Sequence, residues 1–381
     1  MVALPDGAPE RRRFAPRDWF YRVTMRAIAS PDFQSFATRF PLTRPFVRAR
    51  ARGLYDLVAG FVYSQTLLAV VQLDLHRILA ERPLTAAQIG LRVNLDEIAA
   101  KRLAQAAVAV GLFKRRGERY RLSQTGAALI GAPGVEEMVR HHPLFYQDVA
   151  DPVALLRRET DTNLSRYWGY VGGAQTNDME EDVAAPYSAL MAASQAMVAD
   201  ETLTTFPMQR YKRLLDVGGG EGAFLSAALQ RNESLLGTVF DLPAVVERAT
   251  PRFERDDVSV RADTAPGSFL SDPLPKGADL ISLIRVCYDH EDDVVRALLF
   301  KIRQSLPHGG TLLISEPMSG GTNPTREGDA YFGFYTAAMS TGRPRSVAEH
   351  SDLLKEAGFE AIRAHKTRQP FITQVISARA G

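Results

Sequence analysis

The chain has 381 residues, too long for one average domain, and 45% are apolar against 24% charged, the profile of a globular protein with a sizeable core. Its single cysteine, Cys287, excludes an internal disulfide framework and fits a reducing compartment, and no zinc-type spacing of Cys and His gives reason to expect a metal. The formal net charge of +2 conceals an arginine-rich run from Arg11 to Arg52, interleaved with Trp19, Phe20 and Tyr21.

Residues 1–45 read as a basic N-terminal arm, extended and broken by Pro5, Pro9, Pro16, Pro31, Pro41 and Pro45. Its cations and aromatics suit anionic lipid or nucleic acid, and a solvated arm is the plainer reading. The N-terminus lacks the apolar run and cleavage site of a signal peptide, so a cytoplasmic place is expected, with peripheral contact at an inner membrane through the arm. From Leu54 to Leu79 the apolar spacing is helical and nearly all-round, which predicts a helix buried on most faces. Its longest apolar stretch, Leu57 to Val71, is short for a membrane span and carries Ser64 and Gln65. A lone lobe cannot cover such a helix, so a two-fold homodimer is expected.

Pro83 to Leu129 reads helix, turn, helix, then two short strands joined at Arg116-Gly117, a winged-helix pattern. Thr85 can cap the first helix, and Asn94 or Asp96 the second. Arg92, Lys101, Arg102, Lys114, Arg115 and Arg116 are available to DNA, but Ala99, Ala100, Ala104 and Ala106 suit close helix contacts better than base readout. No nucleic-acid partner is expected. The winged-helix domain spans 46–135. Residues 136–205 form a helical connector, broken at Gly169 to Thr176 and resumed at Pro186 through Tyr187, Met191, Gln195 and Val198.

The final domain, 206–381, alternates strands and helices. RLLDV, LLGTVFD, VSVRA, ADLISLI and GTLLISEP are short apolar runs between amphipathic helices, which predicts a parallel α/β sheet, and FITQVISAR reads as a final edge strand. Its strongest local signal is LLDVGGGEGAF, Leu214 to Phe224. A buried strand ends at Asp216-Val217, Gly218, Gly219, Gly220 and Gly222 allow a tight turn and close ligand approach, and a helix follows with free N–H groups. Asp241 ends the next strand, where a carboxylate can accept two hydrogen bonds from ribose hydroxyls. Asp216, just before the glycines, suits a cofactor with a positively charged amino-acid end. Ala223-Phe224 replaces the third glycine of a dinucleotide fingerprint.

DVGGGEG, FDLPAVV, PGSF, RVCYDHEDD and LPHGGTLLISEP, in that order, resemble the class I S-adenosylmethionine-dependent O-methyltransferases of plants and bacteria. The likeness covers nearly all of residues 46–381 and includes the winged-helix dimerisation module. It implies an α/β Rossmann-like catalytic domain with a mostly parallel seven-stranded sheet, S-adenosyl-L-methionine as cofactor, S-adenosyl-L-homocysteine as product and no metal. FQSFATRFPLTR, LYDLVAGF, MVRHHPLFYQDVADP, SEPMSGG and YFGFYTAAMSTGRPRS resemble the family's carotenoid-pathway branch. That implies a large apolar acceptor, the tertiary 1-hydroxyl of an acyclic carotenoid of the demethylspheroidene or hydroxyneurosporene type, with another hydroxylated aromatic or polyketide as the alternative.

Carried over by the resemblance, Gly218, Gly219 and Gly220 contact the methionine part of the cofactor. Asp241 holds the ribose, Leu242 packs on adenine, and Ser268 and Phe269 stand where the family has an acid and an apolar residue beside adenine. Gln195 falls near the cofactor carboxylate. Tyr187, Met191, Phe332, Tyr335 and Met339 fall in the acceptor pocket, with His141 and His142 facing it.

The family's base is a histidine, and Tyr288 stands in its place, with His290 where tryptophan is usual. Of the two acids flanking that histidine, Glu316 is kept and Pro344 replaces the other. Three readings stand open. His290 is the base, by a shift of the loop. Tyr288 orients the hydroxyl, and the proton leaves to water, His141 or His142. Or methyl transfer has been lost. A purely structural YDH triplet, with Asp289 capping the next helix, is the plain alternative.

Overall fold

A computed structural model describes residues 16–167 and 194–381. It forms two compact units: one reaches to Leu73 and resumes over Leu84–Tyr120, and the other comprises Asp74–Pro83 and Arg121–Gly381.

In the first unit the described part of the predicted extended arm, from Pro16, is helical instead: α1 is Pro16–Ala29, α2 Pro31–Arg39 and α3 Arg44–Gln72. Pro31 and Pro45 occupy first-turn positions of α2 and α3, where a missing N–H costs nothing and a fixed φ favours the helix. They begin helices here rather than break them. The predicted buried helix is also corrected. It ends at Gln72, Asp74 turns left-handed (φ 48°), and α4, Leu75–Glu81, starts anew in the second unit. Only the C-terminal part of α3 is buried, at Thr66, Leu68, Val70 and Val71. Leu57 and Phe61 are 78% and 68% exposed, so one chain leaves this apolar surface uncovered. By length and composition alone α3 could cross a membrane.

The winged-helix pattern is present: β1 (Leu84–Thr85), α5 (Ala86–Val93), α6 (Glu97–Ala109), β2 (Phe113–Arg116) and β3 (Arg119–Leu122). Thr85 closes a capping box with Gln88. Asp96 caps α6, accepting from Ala99 N–H, whereas Asn94 ends α5 in the left-handed region. Ala100 and Ala104 are fully buried on α6, which packs on α3.

In the second unit α7 (Gln124–Ile130), α8 (Pro133–Asp148), α9 (Pro152–Leu156) and α10 (Asn163–Tyr167) precede α11, described over residues 194–205. Both oxygens of the Glu136 carboxylate on α8 accept from Arg77 of α4, and His76 lies 3.2 Å away. The helix opened by Pro186 lies outside the described residues.

Then follow β4 (Arg213–Val217), α12 (Ala223–Arg231), β5 (Leu236–Asp241), α13 (Pro243–Val246), α14 (Ala249–Arg255), β6 (Ala262–Pro266), β7 (Leu280–Ile284), α15 (Asp292–Ser305) and β8 (Thr311–Glu316). A π-helical turn, Arg326–Phe332, runs into α16 (Gly333–Met339), followed by α17 (Val347–Glu356), β9 (Phe359–His365) and β10 (Gln374–Ala380). The seven-stranded sheet has the order β6-β5-β4-β7-β8-β10-β9. Its first five strands are parallel, and β10 runs antiparallel to both neighbours. Leu283, Ile314, Leu298 and Ile302 fill one face, and Leu225, Leu229, Val239 and Leu313 the other.

Two strand predictions are corrected. FITQVISAR is not an edge strand: β9, whose polar alternation hid it, takes the edge. Of VSVRA, Val258–Arg261 lie outside any strand, with Val260 98% exposed, and the strand begins only at Ala262 and runs to Pro266. The sheet turns from one side to the other at β4. That places the crevice for a ligand beyond the carboxyl ends of β4, β5 and β7.

Candidate active site

The glycine loop leaves β4 with Gly218, Gly220 and Gly222 all at positive φ. A Cβ on Gly218 would stand 2.9 Å from Val286 Cγ2, and one on Gly220 would meet nothing within 4 Å, so the loop leaves open space there. Asp216 is fully buried beneath the loop. Its Oδ1 accepts from Ser282 Oγ at 2.6 Å, and its Oδ2 has no hydrogen-bond partner. Burial, with Asp241 adding to it, pushes Asp216 up to about 7.

Asp241 is held on both oxygens. It accepts from Gly220 N–H at 2.8 Å and from Leu242 N–H at 2.7 Å, leaving further lone pairs for a diol. Burial raises its pKa. Gln195 Oε1 on α11 is buried without a partner, a polar end available to an amino-acid group. An orphaned carboxylate oxygen, an orphaned amide and a backbone-clamped aspartate fit a nucleoside carrying an amino-acid tail. Leu242 is half-buried at the start of α13. Ser268 donates its N–H to Asp272 Oδ2 at 2.8 Å, so the nearest acid to that turn is Asp272, which the sequence reading did not single out. Phe269 packs edge-on against His290, ring centroids 5.2 Å apart.

After β7 the chain turns sharply. Arg285 takes φ +59°, and Cys287–Asp289 form one 3-10 turn. The Arg285 guanidinium donates to Ser194 Oγ at 2.9 Å and to Tyr288 Oη at 3.1 Å. Burial works against its charge, but the Tyr288 oxygen and Asp289 hold its pKa above the ordinary arginine value. Tyr288 is buried, and that burial raises its phenol. Asp289 is pushed up to about 8 by burial, against the pull of Arg285. It does not cap the following helix: Glu291 holds that position, without a side-chain bond.

Glu316, fully buried at the end of β8, accepts from Tyr288 N–H at 3.2 Å, and its other oxygen lies 3.0 Å from the buried His350 Nε2. Tyr288 and His290 therefore share one turn, and Glu316, from the end of β8, is hydrogen-bonded to its backbone. His290 faces Phe269, and burial lowers its pKa to about 4.

Sequence reasoning missed Arg345. It is fully buried, and it donates to Cys287 O at 2.6 Å, His290 O at 2.7 Å and Asp292 Oδ1 at 2.8 Å, stapling the whole turn. The segment TGRPRS contained it, but only contacts across the fold reveal the role.

Beside the turn lies an apolar cavity of about 530 Å³. Its wall includes Met138, His141, Ser194, Met197, Arg285, Tyr331, Phe332 and Tyr335. His141 Nε2 is 2.8 Å from Tyr335 Oη, and His142 Nε2 is 2.9 Å from Tyr331 Oη. The two tyrosine rings stack 6.0 Å apart. Of the predicted pocket residues, His141, Phe332 and Tyr335 line this wall. His142 stands behind Tyr331, and Met339 is buried in the cluster with Phe145 and Leu164. Tyr187 and Met191 lie outside the described residues. Tyr288, His290 and Glu316 are not part of the wall.

The O-methyltransferase domain family matches residues 146–360, and the O-methyltransferase dimerisation domain matches residues 55–131. The chain belongs to the O-methyltransferases. Demethylspheroidene O-methyltransferase of Rhodobacter capsulatus is 46% identical over 93% of this chain and 89% of the relative. The protein of that name from Cereibacter sphaeroides is 42% identical over 94% of each. Among solved structures, human N-acetylserotonin methyltransferase in complex with SAM shares the fold at a TM-score of 0.71 and 24% identity, covering 87% of this chain and 98% of that one. The S-adenosylmethionine-dependent methyltransferase SibL in its apo form does so at 0.72 and 22%, covering 86% and 98%. The enzyme is a SAM-dependent O-methyltransferase and a homodimer. Its dimerisation domain includes most of α3, whose exposed apolar face gives a second copy a surface to cover.

Proposed function

We propose that the enzyme methylates the tertiary 1-hydroxyl of an acyclic carotenoid of the demethylspheroidene or hydroxyneurosporene type, releasing S-adenosyl-L-homocysteine. The observation that carries this reading is the identity of 42–46% to two demethylspheroidene O-methyltransferases across almost the whole chain. The apolar, aromatic cavity is of a kind to take one end of a polyene.

Bound at the glycine loop, S-adenosyl-L-methionine supplies an electrophilic methyl carbon. Gly218, Gly219, Gly220, Asp216 and Gln195 hold its amino-acid end, Asp241 the ribose, and Leu242, Ser268 and Phe269 border the adenine. The remaining task is to aim an oxygen and move its proton. Arg285 lines the cavity from the loop side, and its N–H donors suit holding the acceptor oxygen in position for attack. Tyr288 fixes the Arg285 guanidinium, Glu316 fixes the Tyr288 backbone, and His290 braces Phe269. This is a positioning turn rather than a base. Incubation with labelled cofactor and a 1-hydroxycarotenoid should yield the labelled methyl ether. Transfer only to small phenols or polyketides would place the enzyme in another branch.

For the winged-helix module we read dimerisation rather than nucleic-acid binding, supported by the dimerisation-domain match and by the buried Ala100 and Ala104. For location we propose the cytoplasm with peripheral contact at the inner photosynthetic membrane, where such an acceptor dissolves. Residues 16–54 carry eight arginines against two aspartates, and Trp19, Phe20, Tyr21, Phe36 and Phe46 are exposed. Cations near an anionic surface contribute about 1 kcal/mol each, falling with salt, and aromatics favour the interface. Deleting residues 1–29 should leave cofactor affinity intact and reduce co-sedimentation with anionic liposomes. Undiminished co-sedimentation would assign the contact elsewhere.

A further inference from the structure

A second depression lies at the opposite end of the sheet from the glycine loop. Tyr211, Asp279 and Thr311, at or just before the starts of β4, β7 and β8, form part of its floor. It is a cleft of about 890 Å³ between the segment after α11, the turn before β8 and the β9–β10 ribbon. Its wall is basic. Arg210, His308, Arg363, His365 and Arg379 all line it, and Asp279 is the one carboxylate among the described residues that does. We propose that this cleft binds a phosphate group, carried by a small soluble ligand or by a lipid headgroup.

The fold gathers these cations from distant segments. Ser377 on β10 stands opposite Arg363 on β9, and Arg379 and His365 lie two residues further along their own strands. Residues two apart on a strand share a face, so the ribbon turns Arg363, His365, Ser377 and Arg379 toward the cleft together. A Cβ on Gly309 would stand 3.2 Å from Arg379 Nη2, so that guanidinium lies against the turn that carries His308. Arg210 comes from the other side. Its guanidinium carbon is 4.8 Å from the Tyr211 ring centroid, and it donates to Tyr211 Oη, which donates in turn to Thr311 Oγ1 at 3.1 Å. Stacking and this bond hold the planar fork in place before any ligand arrives.

The chain does not neutralise this charge. Among the described residues the Arg363 and Arg379 guanidiniums make neither a hydrogen bond nor an ion pair, and Glu360, opposite Arg379 across the ribbon, does not pair with it. Arg210 has no carboxylate partner. Asp279 is occupied by backbone, accepting from Lys212 N–H at 3.0 Å and Arg213 N–H at 2.8 Å. His365 Nε2 is 2.7 Å from Ser377 Oγ, and burial, then Arg363 and Arg210, lowers its pKa. Like charges gathered on one sheet face repel each other and cost stability. Elsewhere in this domain arginines are matched: Arg231 and Arg368 pair with Asp200, and Arg343 and Arg345 with Asp292. A phosphate group supplies what the cleft lacks, about two negative charges and several acceptor oxygens that guanidinium forks bind in pairs.

The test uses the full-length enzyme, with inorganic pyrophosphate as the soluble probe and phosphatidylglycerol vesicles as the lipid probe. Calorimetry at physiological salt should show wild type binding pyrophosphate. Arg363→Gln and Arg379→Gln in one chain should weaken that binding roughly tenfold or more, the factor expected for lost hydrogen bonds to a charged group. Arg296→Gln, which removes a cation paired with Glu356 outside the cleft, should leave the affinity unchanged. Without pyrophosphate, both variants should match wild type in Tm and in affinity for S-adenosyl-L-homocysteine, which separates a lost ligand from a lost fold. Pyrophosphate should raise the Tm of wild type and of Arg296→Gln, and not that of the double variant. Residues 16–54 keep their arginines in every variant, so binding there cannot imitate this pattern. Reduced co-sedimentation of the double variant with the vesicles assigns the phosphate to a headgroup, and reduced pyrophosphate binding alone assigns it to a soluble ligand. A wild type that binds neither probe, or a double variant that binds both as wild type does, overturns the proposal.

Discussion

Gly218→Val should abolish measurable binding of S-adenosyl-L-homocysteine by calorimetry while leaving the circular dichroism of the fold in place. Residue 218 has φ +67°, a region a β-branched side chain hardly enters, so the backbone itself would have to move. Even the first added carbon would stand 2.9 Å from Val286 Cγ2, and Phe269 is next nearest at 3.8 Å. Val286 follows Arg285 in the positioning turn, so the strain cannot be relieved there without disturbing the acceptor side. Strain of about 1–3 kcal/mol at one residue is tolerable for a domain of this size. A loop rebuilt to relieve it is not tolerable for a ligand that must approach the backbone. Binding within tenfold of wild type would mean that the cofactor does not approach Gly218.

Arg345→Leu should cost about 3–5 kcal/mol in denaturant unfolding and reduce turnover as well. Leucine fills part of the volume but leaves the His290 carbonyl without this donor, at about 1–3 kcal/mol for an unsatisfied buried group, and the Cys287 carbonyl with only the His290 N–H. The ion pair to Asp292 adds less, because that carboxylate is 44% exposed and solvent screens it. Gly342, at φ +69°, already packs so closely on the Tyr288 and Asp289 backbone that no side chain fits there. The turn therefore has little room to settle into another shape. Arg345→Lys should recover only part of the loss, since one ammonium cannot serve three acceptors held by a planar fork. A cost below about 1 kcal/mol would show that other contacts hold the turn.

What the sequence determined by itself was local in origin. The glycine loop, Asp241 at a strand end, Thr85 before Gln88, and the short apolar runs of β4, β5, β7 and β8 each write their structure into a few consecutive residues. Glycine conformations, cap hydrogen bonds and buried parallel strands depend on near neighbours. Family motifs in order then supplied the fold and the reaction class.

Tertiary structure decided what local pattern leaves ambiguous. A proline can break a helix or begin one, and Pro31 and Pro45 begin theirs. An apolar helix can be covered by its own chain or by a second copy, and α3 leaves Leu57 and Phe61 exposed. The place of β10 inside the sheet was set by β9, a strand with too polar a pattern to announce itself. Above all, the groups that face the acceptor cavity come from distant segments. His141 meets Tyr335, Arg285 meets Ser194, and Arg345 meets the carbonyl of Cys287 58 residues before it. Hydrogen bonds between such partners exist only once the chain has folded, because no short-range periodicity encodes which of two adjacent histidines turns toward a cavity.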